Sequence, residues 1–427
     1  MIITKGIQAK LYPNCSQRNW LTQQFGNIRF IWNYFLHYIQ ILYKANKKFP
    51  RKYDLYNMLK PLKKRDSWLK KSDSRSLQVE VGTLYQTYKR FFEHLCKHPK
   101  YKSKKYFKQS YTTSSVPNQP RAEHYLHLAK LGYVKAHLNM HQIGKIKQAA
   151  VILAPNGAYY VSLTVQCESQ SLPKTYYAVG IDVGLDNLAT LSNGRKFSFK
   201  YYAKSSEHYK HVWERKLARR RQQAYYNYRY DEHLQKQIPN HHVKPTNSYK
   251  NYLKAKHKVA RISRHITNQR NDYLQKLTTW LVKHFDLIAI EDIKVSSINK
   301  NHHLARAVAN ASWRKFRIML TYKCKWYGKI LEVVNPQYTS QVCHICGMQT
   351  GKKLLDVRSF TCPFCKTKQD RDVNAAINIL RLGLEQAMDN NWTSAGTPLK
   401  LVKFCKPQRF QKPARSAESD ARHFSAE

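Results

Sequence analysis

The first hundred residues carry two stretches in which apolar side chains recur at alternating steps of four and three. The first stretch comprises Leu21, Phe25, Ile28, Trp32, Phe35, Ile39 and Leu42, and the second comprises Leu77, Val81, Leu84, Tyr88, Phe91 and Leu95. This spacing places a single apolar stripe along an α-helix. We therefore predict two amphipathic helices whose stripes pack in a core. We expect the lysine- and arginine-rich residues 47–65 between them to form a solvated loop.

Beyond about residue 121 the hydrophobic pattern is typical of β-strands. Residues 145–153 and 159–165 are apolar runs separated by Pro155-Asn156-Gly157, and Asn-Gly between two apolar runs is a strong signal for a β-hairpin. Within the second run every other side chain is apolar, as in a half-buried strand. Residues 2–11 alternate more loosely and could pair with the same sheet.

Five short apolar runs further along the chain predict a second sheet. They cover residues 177–181, 187–192, 195–200, 287–290 and 329–334. Residues 204–284, between the third and fourth runs, are very basic and helical in character, with a loop predicted at 239–245. Continuous apolar runs of this length are typical of buried strands. We therefore predict a mixed sheet combined with helices, which is an α+β arrangement.

The net charge of the chain limits the classes of partner. The chain holds 75 Lys and Arg against 26 Asp and Glu, giving a formal charge of +49 over 427 residues and a pI near 10.0. Such a chain would repel itself without a polyanion, and nucleic acid is the natural one. An anionic membrane surface is the alternative, but no lipid-seeking helix and no apolar run of the roughly 20 residues of a membrane span stands out. Without a recognisable signal peptide, we expect a cytoplasmic protein.

Because acidic residues are scarce, a carboxylate beside an apolar run stands out. Asp182 and Glu291 each follow such a run, and Asp372 precedes one. Taken singly, they could be a turn residue, a loop or helix N-terminal carboxylate, and a helix N-cap. Together they indicate ligands for two Mg²⁺ ions that cleave a phosphodiester bond. Asp370 is a rival for the third ligand, and Asp292 is a poorer candidate because it should point to the other side of its strand end.

The most specific local motif is a pair of Cys-x-x-Cys sequences. Cys343 and Cys346 are followed, after fifteen residues, by Cys362 and Cys365. Four thiolates at this spacing bind one tetrahedral Zn²⁺ ion, which stabilises a module too small for its own core. Two disulfides or four free thiols are the alternatives, and disulfides do not suit a chain without secretory context. His344 lies within the first pair but is redundant with four thiolates, so we leave it out.

A basic sequence followed by tyrosines is a candidate nucleic-acid contact. It contains Arg215, Lys216, Arg219, Arg220 and Arg221, and then Tyr225, Tyr226, Tyr228 and Tyr230. Basic side chains interleaved with aromatic rings suit phosphate contacts combined with base stacking. The alternative is a solvated basic helix whose tyrosines pack inward.

In their order along the chain, these motifs resemble the TnpB family, RuvC-like nucleases of bacterial and archaeal insertion sequences related to type V CRISPR effectors. The matching sequences are Gly180-Ile-Asp-Val-Gly-Leu185, Ile290-Glu-Asp-Ile293, Tyr338-Thr-Ser-Gln-Val-Cys-His-Ile-Cys-Gly347, Cys362-Pro-Phe-Cys365 and Asp370-Arg-Asp-Val-Asn-Ala-Ala-Ile-Asn-Ile379. The N-terminal Leu11-Tyr-Pro-Asn14, Phe25-Gly26 and Arg29-Phe-Ile-Trp-Asn33 also resemble the start of the family. The similarity covers residues 1–385 or so.

The resemblance implies a multidomain α+β chain with an RNase H-like (RuvC) nuclease core. The expected parts are a wedge-like β-barrel domain at 1–15 and 121–171, a helical recognition domain at 16–120, the nuclease domain at 172–340 and 369–386, a zinc-ribbon target-nucleic-acid-binding insertion at 341–368, and a disordered tail at 387–427. In this fold the first and fourth strands are neighbours, which would place Asp182 beside Glu291. The last helix would bring Asp372 to the same place.

The function implied by the resemblance is RNA-guided cleavage of DNA beside a short adjacent motif. Asp182, Glu291 and Asp372 are all present, which argues for an active, Mg²⁺-dependent endonuclease with two catalytic Mg²⁺ ions and one structural Zn²⁺ ion. The implied partners are an element-derived guide RNA and double-stranded target DNA in a prokaryotic cytoplasm, and a separate transposase of the same element is a further candidate. Two alternatives stay open: an RNA-guided or zinc-ribbon DNA-binding regulator without cleavage, and a transposase that joins strands itself.

Overall fold

The chain divides into two compact units. One comprises Met1–Glu168 with Val212–Arg261, and the other comprises Ser169–His211 with Ile262–Glu427. The computed structural model describes residues 2–104, 109–116, 124–138, 144–169, 171–184, 186–198, 204–238, 240–292, 312–354 and 357–389. Within these residues, no helix has the length and apolar character that a membrane crossing requires.

The first unit contains a six-stranded antiparallel sheet. Its strands are β1 (Ile2–Tyr12), β2 (Ser110–Thr113), β3 (Tyr125–Leu128), β4 (Gly132–Ala136), β5 (Lys145–Leu153) and β6 (Tyr159–Glu168), in the order β2-β5-β6-β1-β4-β3. The predicted hairpin is confirmed by the pairing of β5 with β6. The predicted pairing of residues 2–11 is confirmed by the register of β1 on β6. Along β6, Val161, Leu163 and Val165 are buried, as the alternation predicts.

The helices of the N-terminal region share a core with this sheet. They are α1 (Cys15–Lys44), α2 (Lys52–Asn57), α3 (Leu59–Arg65) and α4 (Ser74–Phe92). Both predicted amphipathic helices are confirmed, as α1 and α4, although α4 ends before Leu95, which is exposed. α1 begins with a capping box, in which Asn14 and Gln17 exchange hydrogen bonds of 2.8 and 3.0 Å between side chain and backbone.

The basic connection between α1 and α4 differs from the expected loop. It contains α2, α3 and a 3₁₀ turn at Ser67–Lys71. Leu55, Leu59, Leu62 and Leu69 are buried and anchor these short elements to the core. The solvated-loop prediction was wrong because Leu55, Leu59 and Leu62 follow the helical spacing of four and three residues over only two turns, among many basic residues.

β2 also differs from the expected boundary, since it belongs to the sheet although residues 16–120 were assigned to the helical domain. A strand of four residues is too short to show a period. Its Tyr111 is buried, with ring centroids 6.0 Å from Trp20 and 6.1 Å from Phe25 of α1. Among the described strands, β2 and β3 are the two edges, and closure of the sheet into a barrel stays a prediction.

Two long helices have residues in both units. They are α5 (Lys204–Gln237) and α6 (Lys250–His284), and they confirm the helical character predicted for residues 204–284. Residues 240–245 form a loop between them, as predicted, followed by a 3₁₀ turn at Thr246–Ser248.

The second unit contains a five-stranded mixed sheet. Its strands are β7 (Ala178–Asp182), β8 (Asn187–Leu191), β9 (Lys196–Ser198), β10 (Leu287–Glu291) and β11 (Ile330–Val334), in the order β11-β10-β7-β8-β9. β10 is parallel to both β7 and β11, whereas β8 is antiparallel to β7 and β9. All five predicted strands are confirmed, and the first and fourth of them are neighbours.

This second sheet is covered on both faces, which explains its continuous apolar runs. One face, carrying Val179 and Ile288, packs against α6 and α7 (Trp313–Tyr327). The other face, carrying Ala178 and Ala289, packs against α8 (Arg371–Asp389). α8 extends into the predicted disordered tail because Ala387 is buried in this layer; the rest of that tail lies outside the described residues.

A small two-stranded element precedes α8. β12 (Ser359–Thr361) and β13 (Lys368–Asp370) pair antiparallel, and they lie between β11 and α8 in the chain. The four cysteines of the two Cys-x-x-Cys motifs belong to this segment, which we call the ribbon (residues 335–370).

Candidate functional site

Two neighbouring strands of the second sheet each end at a carboxylate. β7 ends at Asp182 and β10 ends at Glu291, and the strands are parallel, with Ile181 paired to Ile290. The carboxyl ends of neighbouring parallel strands lie on the same side of a sheet. The strand pairing therefore brings the predicted side chains of Asp182 and Glu291 close to each other. α8 packs on the same strands and carries Asp372 in its first turn.

The charges of Glu291 and Asp372 act on Asp182. Burial raises the pKa of Asp182 well above its ordinary value, and the charges of Glu291 and Asp372 raise it further. Burial raises the pKa of Glu291 against the effect of a hydrogen bond from Thr339. Burial also raises the pKa of Asp372, opposed by Lys196. Burial makes the charged form of a carboxyl group less favourable, and a nearby cation makes it more favourable. Carboxylate oxygens are the ligands that Mg²⁺ prefers, although among the described residues only Cys343, Cys346, Cys362 and Cys365 have ligand atoms close enough together to hold one ion.

The structure distinguishes Asp372 from its rival Asp370. Asp370 caps α8, because its Oδ1 accepts hydrogen bonds of 3.0 Å from the backbone N–H groups of both Asp372 and Val373. Its Oδ2 accepts a hydrogen bond of 2.7 Å from Lys196 Nζ. The helix-cap interpretation considered for Asp372 therefore belongs to Asp370.

Two arginines contact other acidic groups near this edge. Arg358, which directly precedes β12, pairs with Asp186, and its Nη1 lies 3.9 Å from Asp372 Oδ1. Arg317 of α7 donates a hydrogen bond to Asp292, the poorer candidate ligand. The carboxylate of Asp292 is thus paired with the Arg317 guanidinium group. Glu291 instead accepts a hydrogen bond from the neutral hydroxyl group of Thr339.

The four cysteines of the ribbon form a compact cluster. Their sulfur atoms all lie within 4.8 Å of one another, and the Cys343–Cys365 and Cys346–Cys362 pairs are each 3.7 Å apart. Ligands at a tetrahedral Zn–S distance of about 2.3 Å would be roughly 3.8 Å apart. No cysteine in the described part of the chain forms a disulfide. The thiol cluster therefore fits one Zn²⁺ ion, and the disulfide alternative is excluded there.

The cysteines of the cluster differ in pKa. A backbone hydrogen bond from Met348 lowers the pKa of Cys346, but burial and the other three thiols outweigh it and raise this pKa to about 11. Burial raises the pKa of Cys343, but the backbone N–H groups of Cys346 and Ile345 and the side chain of Gln369 outweigh burial and lower it to about 6. The Gln369 Nε2 group donates to Cys343 Sγ at 2.9 Å. A thiolate is the form that binds metal.

Several polar residues around these two sites were missed by the sequence analysis. They are Thr339, Gln369, Asn374 and Asn378, and all four are buried. Two asparagines four residues apart in the otherwise apolar stretch 373–380 of α8 were the signal, since asparagine is a poor helix former and a buried amide needs partners. His344, which we left out of the zinc ligands, contacts Asn374 and Gln369 through its Nδ1 atom instead.

The basic sequence on α5 presents both charge and aromatic rings. Arg215, Lys216, Arg219 and Arg221 are exposed, whereas Arg220 is half-buried and donates to the Asn251 carbonyl at 3.2 Å. Three of the four tyrosines that follow are exposed, namely Tyr225 (51%), Tyr226 (58%) and Tyr230 (64%). The alternative in which the tyrosines pack inward therefore does not hold for these three.

Parts of the chain match known family models. Residues 160–302 match the OrfB_IS605 family, described as "Probable transposase", and residues 313–379 match the Cas12f1-like TNB domain. Residues 1–48 match a helix-turn-helix domain of the same OrfB_IS605 type; in the structure this segment comprises β1 and α1.

Curated proteins match over most of the chain. A Streptomyces pristinaespiralis protein named "Putative RNA-guided DNA endonuclease" is 32% identical over 390 residues, covering 90% of this chain and 90% of its own length. The Escherichia coli K12 protein InsQ, which has the same descriptive name, is 30% identical over 78% of this chain and 80% of its own. A TnpB-like protein of Methanocaldococcus jannaschii is 32% identical over 26% of this chain and 41% of its own. This chain belongs to the TnpB family.

The family matches contain both candidate sites. Asp182 and Glu291 lie within the OrfB_IS605 match, and the four cysteines and Asp372 lie within the Cas12f1-like TNB match. Among solved structures, the chain in the cryo-EM structure of the Cas12f1-sgRNA-target DNA complex aligns with 88% of this TnpB-family chain and 98% of its own, with 12% identity and a TM-score of 0.49.

Proposed function

We propose that this TnpB-family chain is an RNA-guided DNA endonuclease of an insertion sequence, and that it hydrolyses target DNA with two Mg²⁺ ions. The observation that carries the proposal is the placement of Asp182 and Glu291 at the ends of neighbouring parallel strands, with Asp372 in the first turn of the helix packed on them. Glu291 and Asp372 both raise the pKa of Asp182. The names of the Streptomyces and Escherichia relatives support the same activity.

The sheet of the second unit supports an RNase H-like nuclease core. The order β11-β10-β7-β8-β9, with β10 parallel to β7, makes the first and fourth strands neighbours. We propose the nuclease domain at residues 172–340 and 369–386 and the zinc-ribbon insertion at 341–368, preceded by the wedge-like and helical domains. The buried cores on the two faces of the sheet use residues within these bounds and also Ala387, whereas Val212–Arg261, inside the proposed bounds, belongs to the first compact unit.

The roles of the site residues follow from their chemistry. Asp182, Glu291 and Asp372 would hold the Mg²⁺ ions through carboxylate oxygens, while Asp370 caps the helix that carries Asp372. When bound, two Mg²⁺ ions supply activation of water and neutralisation of charge at the scissile phosphate. The four cysteines would hold one Zn²⁺ ion that stabilises the ribbon.

The charge distribution supports RNA and DNA as partners. A net charge of +49 requires a polyanion, and a guide RNA would neutralise much of it. On α5, exposed arginines next to exposed tyrosines provide phosphate contacts and stacking surfaces on one helix. We therefore propose Arg215, Lys216, Arg219, Arg220 and Arg221 as a nucleic-acid contact. We expect the protein to act in the cytoplasm of its prokaryotic host.

The experiment that tests the proposal starts from RNA that co-purifies with the chain. That RNA is sequenced, its guide segment is replaced by chosen sequences, and double-stranded targets are supplied with Mg²⁺. We expect cleavage to follow the guide, because pairing carries the specificity. Asp182→Ala should abolish cleavage while target binding persists, since the substitution removes a carboxylate and no basic contact.

The outcomes also separate the alternative functions. Cutting at the same place whatever guide is supplied, or without RNA, would refute RNA guidance. Guide-dependent binding without any cleavage by the wild-type chain would support the regulator instead. Joined rather than cut strands would support a strand transferase.

A further inference from the structure

A continuous path of hydrogen bonds leads from Glu291 into the ribbon. Thr339 Oγ1 donates to Glu291 Oε1 at 2.7 Å, which is shorter than its 3.2 Å contact with the Pro336 carbonyl. The Asn378 side-chain amide of α8 then donates to the backbone carbonyls of Thr339 and Val342, both at 2.8 Å. An amide NH₂ group has two protons, so Asn378 uses both of them on the turn that carries Thr339.

The same path continues to a sulfur atom of the cysteine cluster. Asn374 Nδ2 donates to the Val342 carbonyl at 2.8 Å, and its Oδ1 accepts from the His344 backbone N–H at 2.9 Å. His344 Nδ1 lies 2.9 Å from Gln369 Oε1, and Gln369 Nε2 donates to Cys343 Sγ at 2.9 Å. α8 thus links the end of β10 to the cysteine cluster through polar side chains that are otherwise costly to bury.

The turn at Thr339 has an unfavourable backbone conformation that neighbouring contacts must maintain. Tyr338, which precedes it, has a φ of 66°, in the left-handed region that tyrosine rarely adopts. Its side chain is 48% exposed and so gains little from burial there. Surrounding contacts must therefore maintain this backbone, and the two Asn378 hydrogen bonds to the residues that follow are contacts of this kind.

We propose that Thr339 is a positioning residue for Glu291, and that Asn378 fixes Thr339 for this purpose. The proposal rests on the proposed function, because it assumes that Glu291 binds a catalytic metal ion. A hydroxyl donor at Oε1 selects one orientation of the carboxylate, so that its other oxygen would be the metal ligand. Groups that orient a metal ligand in this way typically contribute 10–100-fold to metal affinity or activity.

The test measures binding of Mn²⁺, used as a paramagnetic probe for Mg²⁺, to the full chain carrying its co-purified RNA. Because RNA also binds Mn²⁺, a Glu291→Gln preparation with the same RNA defines the background, and the difference is the site signal. Thr339→Val, which keeps the shape but removes the hydroxyl, should weaken this binding at least about tenfold. Thr339→Ser, which keeps the donor, should stay within about threefold of wild type.

Controls separate positioning from general damage. Thr321→Val removes a comparable hydroxyl, which donates to the Arg317 carbonyl at 2.9 Å on the exposed side of α7, and should leave Mn²⁺ binding unchanged. Thr339→Val should retain its zinc content and its target binding. Asn378→Ala should weaken Mn²⁺ binding in the same direction, which tests the second part of the proposal.

The outcomes distinguish this inference from the proposed function. If the wild-type chain gives a site signal and Thr339→Val gives the same signal, Thr339 does not position Glu291 and only this inference is refuted. Equal weakening in Thr339→Val and Thr339→Ser would also refute it, because the hydroxyl would then be irrelevant. A wild-type chain with no signal above the Glu291→Gln background would overturn the metal site and, with it, the proposed function.

Discussion

Replacement of Gly180 by alanine should disrupt the site by moving α8 away from β7. A Cβ atom at Gly180 would lie 2.0 Å from the Ala376 carbonyl oxygen and 2.6 Å from the Leu380 nitrogen, both backbone atoms of α8. Contacts under 3.0 Å are essentially never seen for Cβ, so α8 must shift by about 1.0 Å or more. Ala376 lies one helical turn after Asp372, whereas Gly180 lies two residues before Asp182.

We expect Gly180→Ala to reduce both the stability of the fold and the rate of cleavage. Overpacking of this kind typically costs about 1–3 kcal/mol. That corresponds to a fall in Tm of roughly 2–12 °C for a unit of this size. Displacement of reacting groups by about 1 Å can reduce activity by about a hundredfold. Gly180→Ala should therefore lose more guide-dependent cleavage than its loss of folded protein explains.

The assay compares thermal unfolding and single-turnover cleavage of the same RNA-loaded preparations. Gly6→Ala is the matched control, because a Cβ at Gly6 in β1 would meet nothing within 4 Å. A second variant, Gly383→Ala, would place its Cβ 2.4 Å from the Ala289 Cβ, and the next contact, with the Ala289 Cα, is an ordinary 3.5 Å. The double variant Gly383→Ala/Ala289→Gly should therefore recover most of the lost stability. Wild-type Tm and cleavage in Gly180→Ala, or no recovery in the double variant, would refute the close packing of α8 on the sheet.

Three further predictions concern the cysteine cluster, the carboxylates of α8 and the buried Lys323. Purified wild-type protein should contain one Zn²⁺ per chain and Cys343→Ser should lose it, with reduced cleavage; absence of zinc after anaerobic purification would contradict the site. Asp370→Ser, which retains a capping oxygen, should cost at most about 1 kcal/mol of stability and keep cleavage, whereas Asp372→Asn should lose cleavage, and the reverse result would assign the metal ligand to Asp370. Burial lowers the pKa of Lys323 to about 8, from 10.5, so the folded chain releases this proton first and stability should rise between these pH values. Lys323→Met should remove that rise, by up to about 1.4 kcal/mol per pH unit, and parallel Tm–pH curves for the two proteins would contradict the assignment.

The elements that the sequence predicted well are those whose burial produces a local pattern. The strands of the second sheet are covered on both faces, and this produces the continuous apolar runs that made them visible. α2 and α3 bury Leu55, Leu59 and Leu62 at steps of four and three, but this spacing extends over only two helical turns among many lysines. β2 has four residues, which is too short to show a period. A local pattern cannot reveal a hydrogen bond between residues that are far apart in the sequence, such as the one from Thr339 to Glu291.

The position of the ribbon gives a physical reason for its link to the carboxylates. It begins after β11, which pairs with β10 up to Glu291. It ends at Asp370, which caps α8 by accepting hydrogen bonds from the backbone N–H groups of Asp372 and Val373. A long connection between these two points would be costly to order without a core of its own. The four cysteine sulfur atoms lie close together within the ribbon, and the buried amides of Asn374 and Asn378 attach it to α8. Loss of the thiolate cluster should therefore disturb the surroundings of Glu291 and Asp372 together, while Asp182, held within β7, should stay in place.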